Sequence, residues 1–281
     1  MKSLVSRVIS YFIFSCLFIS CGGDDFTEQS KLSNLRVLAI TADSPEINSA
    51  ATVTLTPLIS YVNGAGASLN YSWEACPDPG IDFGAELNCD SSIVPLKVSG
   101  SGSFDTSTLA SSYFTGNATN IAVNISSDVF TYLATTTSDI QFNGLDYLVF
   151  ITYADATTSE SIKALKRIKL SSKTGGELNL NPTMGSIQVD DSNLSAYPIS
   201  KSSMTLSTLS PPETYSKQTN IGQQSFTEDM YISWYASSGD YLFNRTDIGE
   251  ANTYTPSGST GVFVIVYRDG RGGVATEQVS F

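Results

Sequence analysis

The sequence predicts an all-β protein built as two tandem sandwich modules, and three observations carry the prediction. Short runs rich in Val, Ile, Thr and Tyr are separated by clusters of Gly, Asn, Asp and Ser, and strong helical periodicity is nearly absent. The two tryptophans of the chain sit in matching segments, Leu69-Asn70-Tyr71-Ser72-Trp73-Glu74-Ala75 and Met230-Tyr231-Ile232-Ser233-Trp234-Tyr235-Ala236, which share a Ser-Trp-x-Ala core. Each is followed by an apolar run ending Tyr-x-Asp, Tyr147 to Asp155 and Val262 to Asp269. The length suits one large β domain or two ordinary ones. The repeats decide for two.

The first element is a leader. Lys2 and Arg7 precede about a dozen apolar residues from Val8 to Ile19, and Ser20 supplies a small residue before Cys21. This order resembles a bacterial lipoprotein signal, although such signals usually carry Leu three residues before the cysteine, where this chain has Phe18. The run is too short for a membrane-spanning helix, which needs about 20 apolar residues. The resemblance implies that residues 1–20 are removed and that Cys21 receives a diacylglycerol thioether and usually an N-acyl chain. Two or more acyl chains anchor a protein stably where one does not. Cys16 is a rival acylation site, and an ordinary secretory signal is the plainer alternative. Gly22 stands where lipoproteins kept at the inner membrane often carry Asp, which favours outer-membrane sorting.

Residues 21–34 form a polar tether holding Asp24, Asp25, Glu28, Gln29 and Ser30. The first module is expected over 35–175. Cys76 and Cys89, in a turn-rich stretch with Pro77, Pro79, Gly80 and Gly84, read as a disulfide worth on the order of 3 kcal/mol in an oxidising compartment. Metal binding by this pair would need Asp78, Asp82 or Asp90 and has no usual zinc spacing. The two tryptophan-to-tyrosine spacings differ, 80 positions from Trp73 to Tyr153 against 33 from Trp234 to Tyr267. The difference implies an insertion near residues 76–125, where a recognition loop is as natural as a stapled decoration. A short helix is expected at Ser127 to Leu133, with Val129, Phe130 and Leu133 on one face plugging the core. Turn formers from Ser171 to Pro182 mark the module boundary, and the second module runs over 183–281. There Asp269-Gly270-Arg271-Gly272-Gly273 turns the chain into its last strand, Val274 to Phe281.

A tryptophan projecting inward from a central strand fills the space between two sheets, as in immunoglobulin-like domains. Leu35 to Ile40, the turn Ala42-Asp43-Ser44-Pro45-Glu46-Ile47, the run Thr52 to Leu58, Tyr71-Ser72-Trp73 and the closing Tyr267 to Gly273 carry a wider resemblance. On these residues the chain resembles bacterial envelope lipoproteins made of immunoglobulin-like or PKD-type modules. Such modules serve many functions, so the resemblance implies a fold and no activity.

Composition narrows the function classes. Losing Lys2 and Arg7 with the leader leaves 13 basic residues against 27 acidic ones, a net charge of −14. Nucleic acid is therefore not an expected partner. Lys163, Lys166, Arg167 and Lys169 form the one basic cluster, read as a solvated strand face ahead of an anion site. The chain has no histidine, so serine triads and histidine-based phosphoryl chemistry lack their usual base. Gly64-Ala65-Gly66 is too short for a dinucleotide fingerprint and reads as a hairpin turn. Neither cofactor nor catalytic residue is expected. The leading expectation is a non-enzymatic, lipid-anchored envelope protein that binds or spaces a protein or glycan partner. An envelope hydrolase using paired acids of the 78–90 loop and a surface adhesin are the alternatives.

Overall fold

The computed structural model describes residues 29–32, 34–61, 68–78, 88–89, 96–106, 115–185, 187–189, 192–193, 204–208 and 211–280. The expected leader over residues 1–20, Cys21, Gly64-Ala65-Gly66, Asp82 and Asp90 lie outside them. The described chain is all-β with short helical connections. No helix among the described residues is long and apolar enough to cross a membrane.

The N-terminal half holds β1 (Arg36–Ala42), β2 (Glu46–Ile47), β3 (Ala51–Ser60), β4 (Ser68–Pro77), β5 (Val98–Asp105), β6 (Thr115–Asn117) and β7 (Ile121–Ile125). Helices α1 (Ser127–Leu133) and α2 (Ser138–Asn143) follow, then β8 (Leu145–Asp155) and β9 (Ser161–Leu170). One sheet joins β1, β3, β6 and β7; the other runs β2-β9-β8-β4-β5. Along β3, Val53 and Leu55 are buried while Thr52, Thr54 and Thr56 are not, the period of two that puts one strand face in a core. They share that core with Tyr147, Val149, Ile151 and Ile168 of the second sheet. The outer neighbours on β8, Leu148 and Phe150, are buried too, under Cys76 and Cys89. A strand covered on both faces reads as an unbroken apolar run, and β8 does.

Between β1 and β2 the chain changes sheets. Asp43 closes β1 with its N–H on Thr54 O at 3.0 Å and its carboxylate on Thr54 N at 3.0 Å. Pro45 then interrupts the ladder, having no N–H to donate. Glu46 and Ile47 emerge paired in parallel with Lys169 and Leu170.

The described stretches of residues 76–125, where the insertion is expected, are not loop alone: they supply β5, β6 and β7 to the two sheets. Ser99-Gly100-Ser101-Gly102-Ser103 lies within β5, where its glycines make room for rings of β4. A Cβ at Gly100 would stand 2.7 Å from the Trp73 indole nitrogen, and one at Gly102 would stand 2.5 Å from the Tyr71 hydroxyl. The helix over Ser127–Leu133 forms as expected. Its Val129 and Leu133 are buried in the core, with Phe130 packed beside them.

The C-terminal half holds β10 (Ile187–Val189), β11 (Ser192–Asn193), β12 (Met204–Thr208), the hairpin β13 (Thr214–Thr219) and β14 (Gly222–Thr227), β15 (Tyr231–Ala236), β16 (Asp240–Tyr241), β17 (Arg245–Asp247), β18 (Asn252–Thr255), β19 (Val262–Arg268) and β20 (Val274–Ser280). Its sheets are β11-β10-β12-β18-β16 and β17-β15-β19-β20. Trp234, Tyr241, Tyr254 and Phe263 form an aromatic core, with Tyr254 and Phe263 edge to face at 4.7 Å.

The sequence repeat is a repeat of register. Strands β5-β4-β8-β9 and β17-β15-β19-β20 lie in the same order, Trp73 pairs with Ile151, and Trp234 pairs with Ile265. The Tyr-x-Asp endings are explained by their turns. Asp155 accepts N–H bonds from Thr157 and Thr158 at 2.6 and 3.3 Å, and Asp269 accepts them from Arg271 and Gly273 at 2.7 and 2.9 Å. A carboxylate that bonds the backbone just ahead of it closes a hairpin locally.

The halves are joined by a third apolar cluster. Leu38, Ala39 and Leu58 meet Val262, Val264, Val266 and Val274, all buried. Leu32 belongs to it, held by its N–H on Ala236 O at 3.1 Å, while Ala236 N–H returns to Ser30 O at 2.9 Å. The expected boundary is stitched in rather than looped out. Ser171, Lys173 and Asn179 are buried, and Asn181 donates to Ala42 O at 2.6 Å while accepting from Val274 N at 3.0 Å.

Candidate functional site

The structure brings Cys76 and Cys89 together at disulfide geometry, with Cα atoms 6.0 Å apart, at the end of β4. The acids expected to pair in the adjoining loop are not assembled among the described residues. Asp78 is fixed by its N–H on Asp146 O at 2.8 Å, and Asp82 and Asp90 lie outside the described chain. A shallow groove of about 430 Å³ crosses the outer face of the β4–β5 sheet, lined by Ser72, Glu74, Ser99, Thr152 and Lys163. Burial would raise the Glu74 carboxyl, but the Lys97 ammonium and the Cys89 N–H hold it below its ordinary value.

The larger convergence of chemistry lies where the halves meet. On β9, Lys163, Arg167 and Lys169 occupy one face, and Lys166 falls on the other by the same period of two. The expectation of a solvated face is corrected at this residue. Lys166 is 4% exposed, and its Nζ donates to Gly272 O at 2.6 Å. Burial pushes its ammonium down to about 8, with Asp269 pulling the other way.

The Asp269-Gly270-Arg271-Gly272-Gly273 segment makes the expected turn, with φ of +73° at Gly270 and +114° at Gly272. Sequence reasoning missed that this turn also reaches into the first half. Arg271 meets Glu228 at 3.1 Å and Glu46 at 3.5 Å, and its guanidinium lies 4.2 Å above the Tyr215 ring. Glu46 also faces Lys173 at 3.3 Å and accepts the Asn179 N–H at 2.8 Å. Asp269 accepts the Asn179 side-chain amide at 2.7 Å. Burial raises the Glu228 carboxyl in spite of Arg271 and the Glu213 N–H. Each of these acids is therefore engaged by named donors.

Above this network opens a cleft of about 360 Å³. Seven of the chain's 15 lysines and arginines line it, against the acids Glu46, Asp146 and Asp269. Asp146 is paired with Lys169 and, at 3.7 Å, with Arg167. The β13–β14 hairpin forms one wall. It is held to α2 by Gln218 N donating to Asn143 Oδ1 and Asn143 Nδ2 donating to Gln218 O, both at 2.8 Å. No group of His, Cys, Asp and Glu suited to a metal ion occurs among the described residues.

Comparisons with known proteins add little to this geometry. No family model matches the chain, and no curated protein matches it. Among solved structures, red sea bream transglutaminase aligns with 88% of this chain and 31% of that chain, at 10% identity and a TM-score of 0.28. The chain thus spans about a third of that protein's length, and a likeness of this score carries neither fold nor activity.

Proposed function

We propose that this chain is a non-enzymatic envelope lipoprotein, acylated at Cys21, whose two immunoglobulin-like sandwiches act as one rigid module that binds a protein or glycan partner. The observation that carries the reading is the matched register of β4–β8 and β15–β19, each with a tryptophan on the strand where immunoglobulin-like domains keep theirs. The parallel pairing of β2 with β9 after the sheet change fits the same plan. The binding half of the proposal rests on the cleft, a concave site built from both halves and rich in charged groups. The membrane half rests on the leader and on Cys21, with the anchor favouring the outer membrane.

Two experiments test it. Metabolic labelling with palmitate should mark the wild type and leave Cys21→Ala unlabelled; label that survives the substitution overturns the acylation site. Protease treatment of intact cells, followed by crosslinking and affinity capture, should recover a defined envelope partner. Digestion on intact cells would make the module a surface adhesin, and protection would give it a periplasmic face.

A further inference from the structure

The cleft between the halves permits an assignment of ligand class, which rests on the binding-module reading and deepens it. Its acids are already engaged by Arg271, Lys173, Asn179, Lys169 and turn N–H groups. Three cations remain without a carboxylate partner among the described residues. Lys166 gives one N–H to Gly272 O and has two more to offer. Arg268 donates through Nη1 to Ser233 Oγ and through Nη2 to Leu38 O, both neutral acceptors at 2.8 Å. Lys217, on the overhanging hairpin, lies 5.8 Å from the Tyr215 ring centre and 5.7 Å from that of Phe226.

In a protein of net charge −12, this concentration of surplus cations is the reverse of what the whole chain presents to solvent. The buried Lys166 ammonium has a carbonyl as its hydrogen-bond partner and feels Asp269 only from beyond ion-pair distance, that carboxylate being taken by Asn179 and turn N–H groups. A buried ammonium so placed is costly to keep unless something anionic completes its surroundings. We propose that the cleft binds an oxyanion, a carboxylate or phosphate carried on a body of about monosaccharide size, with Lys166 at its floor and Lys217 closing over it. The volume of about 360 Å³ sits at the low end for small-molecule sites, which sets the size. The shared chemistry has two sources, a free sugar acid or sugar phosphate and the terminal residue of an acidic glycan.

The test is calorimetric titration of the detergent-solubilised full chain with glucuronate, glucose 6-phosphate, inorganic phosphate and an oligogalacturonate, with glucose as the neutral probe. Saturable binding of the anions and none of glucose is expected, weakening as salt is raised. Lys217→Glu should weaken binding about tenfold or more, the equivalent of one charge-assisted contact, with an unchanged melting temperature because Lys217 is exposed. Lys217→Arg should retain it. Preference for the oligogalacturonate over glucuronate assigns the glycan source, and equal affinity assigns the free anion. Absence of saturable anion binding, or anion binding indifferent to both Lys217→Glu and Lys166→Met, overturns the assignment. If Lys217→Glu still captures the same envelope partner as the wild type while no anion binds, the ligand class fails and the binding-module reading stands; if neither anion nor partner is bound, both fail.

Discussion

Trp73 and Trp234 occupy the same place in the repeat and do not share the same fate. Trp234 is fully buried, and its indole N–H donates to Thr246 Oγ1 on the neighbouring β17 at 2.9 Å. Trp73 is half-buried, lying over Gly100 of the neighbouring β5. Both tryptophans face a core, yet the edge strand beside each decides how far the ring is covered. In the second half a threonine supplies both cover and a hydrogen-bond partner. In the first half a glycine supplies only space. A sequence repeat therefore identifies a position, and the strand next door sets its energetics.

The largest expected effect breaks this comparison directly. Trp234→Ala should destabilise by about 3–5 kcal/mol, the usual cost of emptying a buried aromatic site, and Trp73→Ala by roughly half as much. Urea unfolding of both variants checks this, and equal losses would mean that edge cover does not matter. Gly100→Val should cost about 1–3 kcal/mol, since the added carbons collide with the indole. Combined with Trp73→Ala, most of that cost should disappear, a coupling that a double-mutant cycle reads out.

The two Tyr-x-Asp hairpins sharpen the comparison through pH. The Tyr61 hydroxyl and the Thr157 N–H hold the Asp155 carboxyl down to about 2, against an ordinary value of 3.8. Protonation thus favours the unfolded chain between these values. The stability from Asp155 is present in full above 3.8 and is lost as pH falls through about 2. Asp155→Asn should flatten the acid limb of a pH–stability curve. At the other turn the sensitive group is Lys166 of β9, which reaches across to Gly272 O and whose folded value of about 8 lies below its ordinary 10.5. Across that window the unfolded chain binds the proton and the folded chain does not, so stability rises with pH from about 8 until tyrosine ionisation reverses it. Lys166→Met should abolish the rise, as thermal melts between pH 7 and 10 would show.

Much of the architecture was legible because β-structure writes itself in short-range patterns. The alternation along β3, the doubly covered run of β8, the apolar face of α1 and the repeated Tyr-x-Asp ending all follow from a few neighbouring residues. Strand β5 was not legible. Gly and Ser have little intrinsic strand preference, and the reason for Gly100 is a ring 27 positions earlier in the chain. The period of two placed Lys166 opposite Lys163 and Arg167, a clue available in the sequence and left unused. The cleft itself was beyond local reading, since its Lys166–Gly272 contact joins residues 106 apart. Only the packing of one half on the other brings them together.

The short contact between the entry of the folded chain and β15 has a consequence for how the protein matures. The backbone groups of Ser30 and Leu32 pair with Ala236, a residue made after most of the chain. Synthesis delivers the N-terminal half first, so its leading edge and the apolar face of Leu38 and Leu58 stand uncovered until the second half arrives. Contacts of such long sequence separation form late because a long loop must close before they are rewarded. Truncation anywhere before β19 would leave that face open, so an incomplete chain would present a sticky surface to the cell's quality-control proteases while a finished one would not.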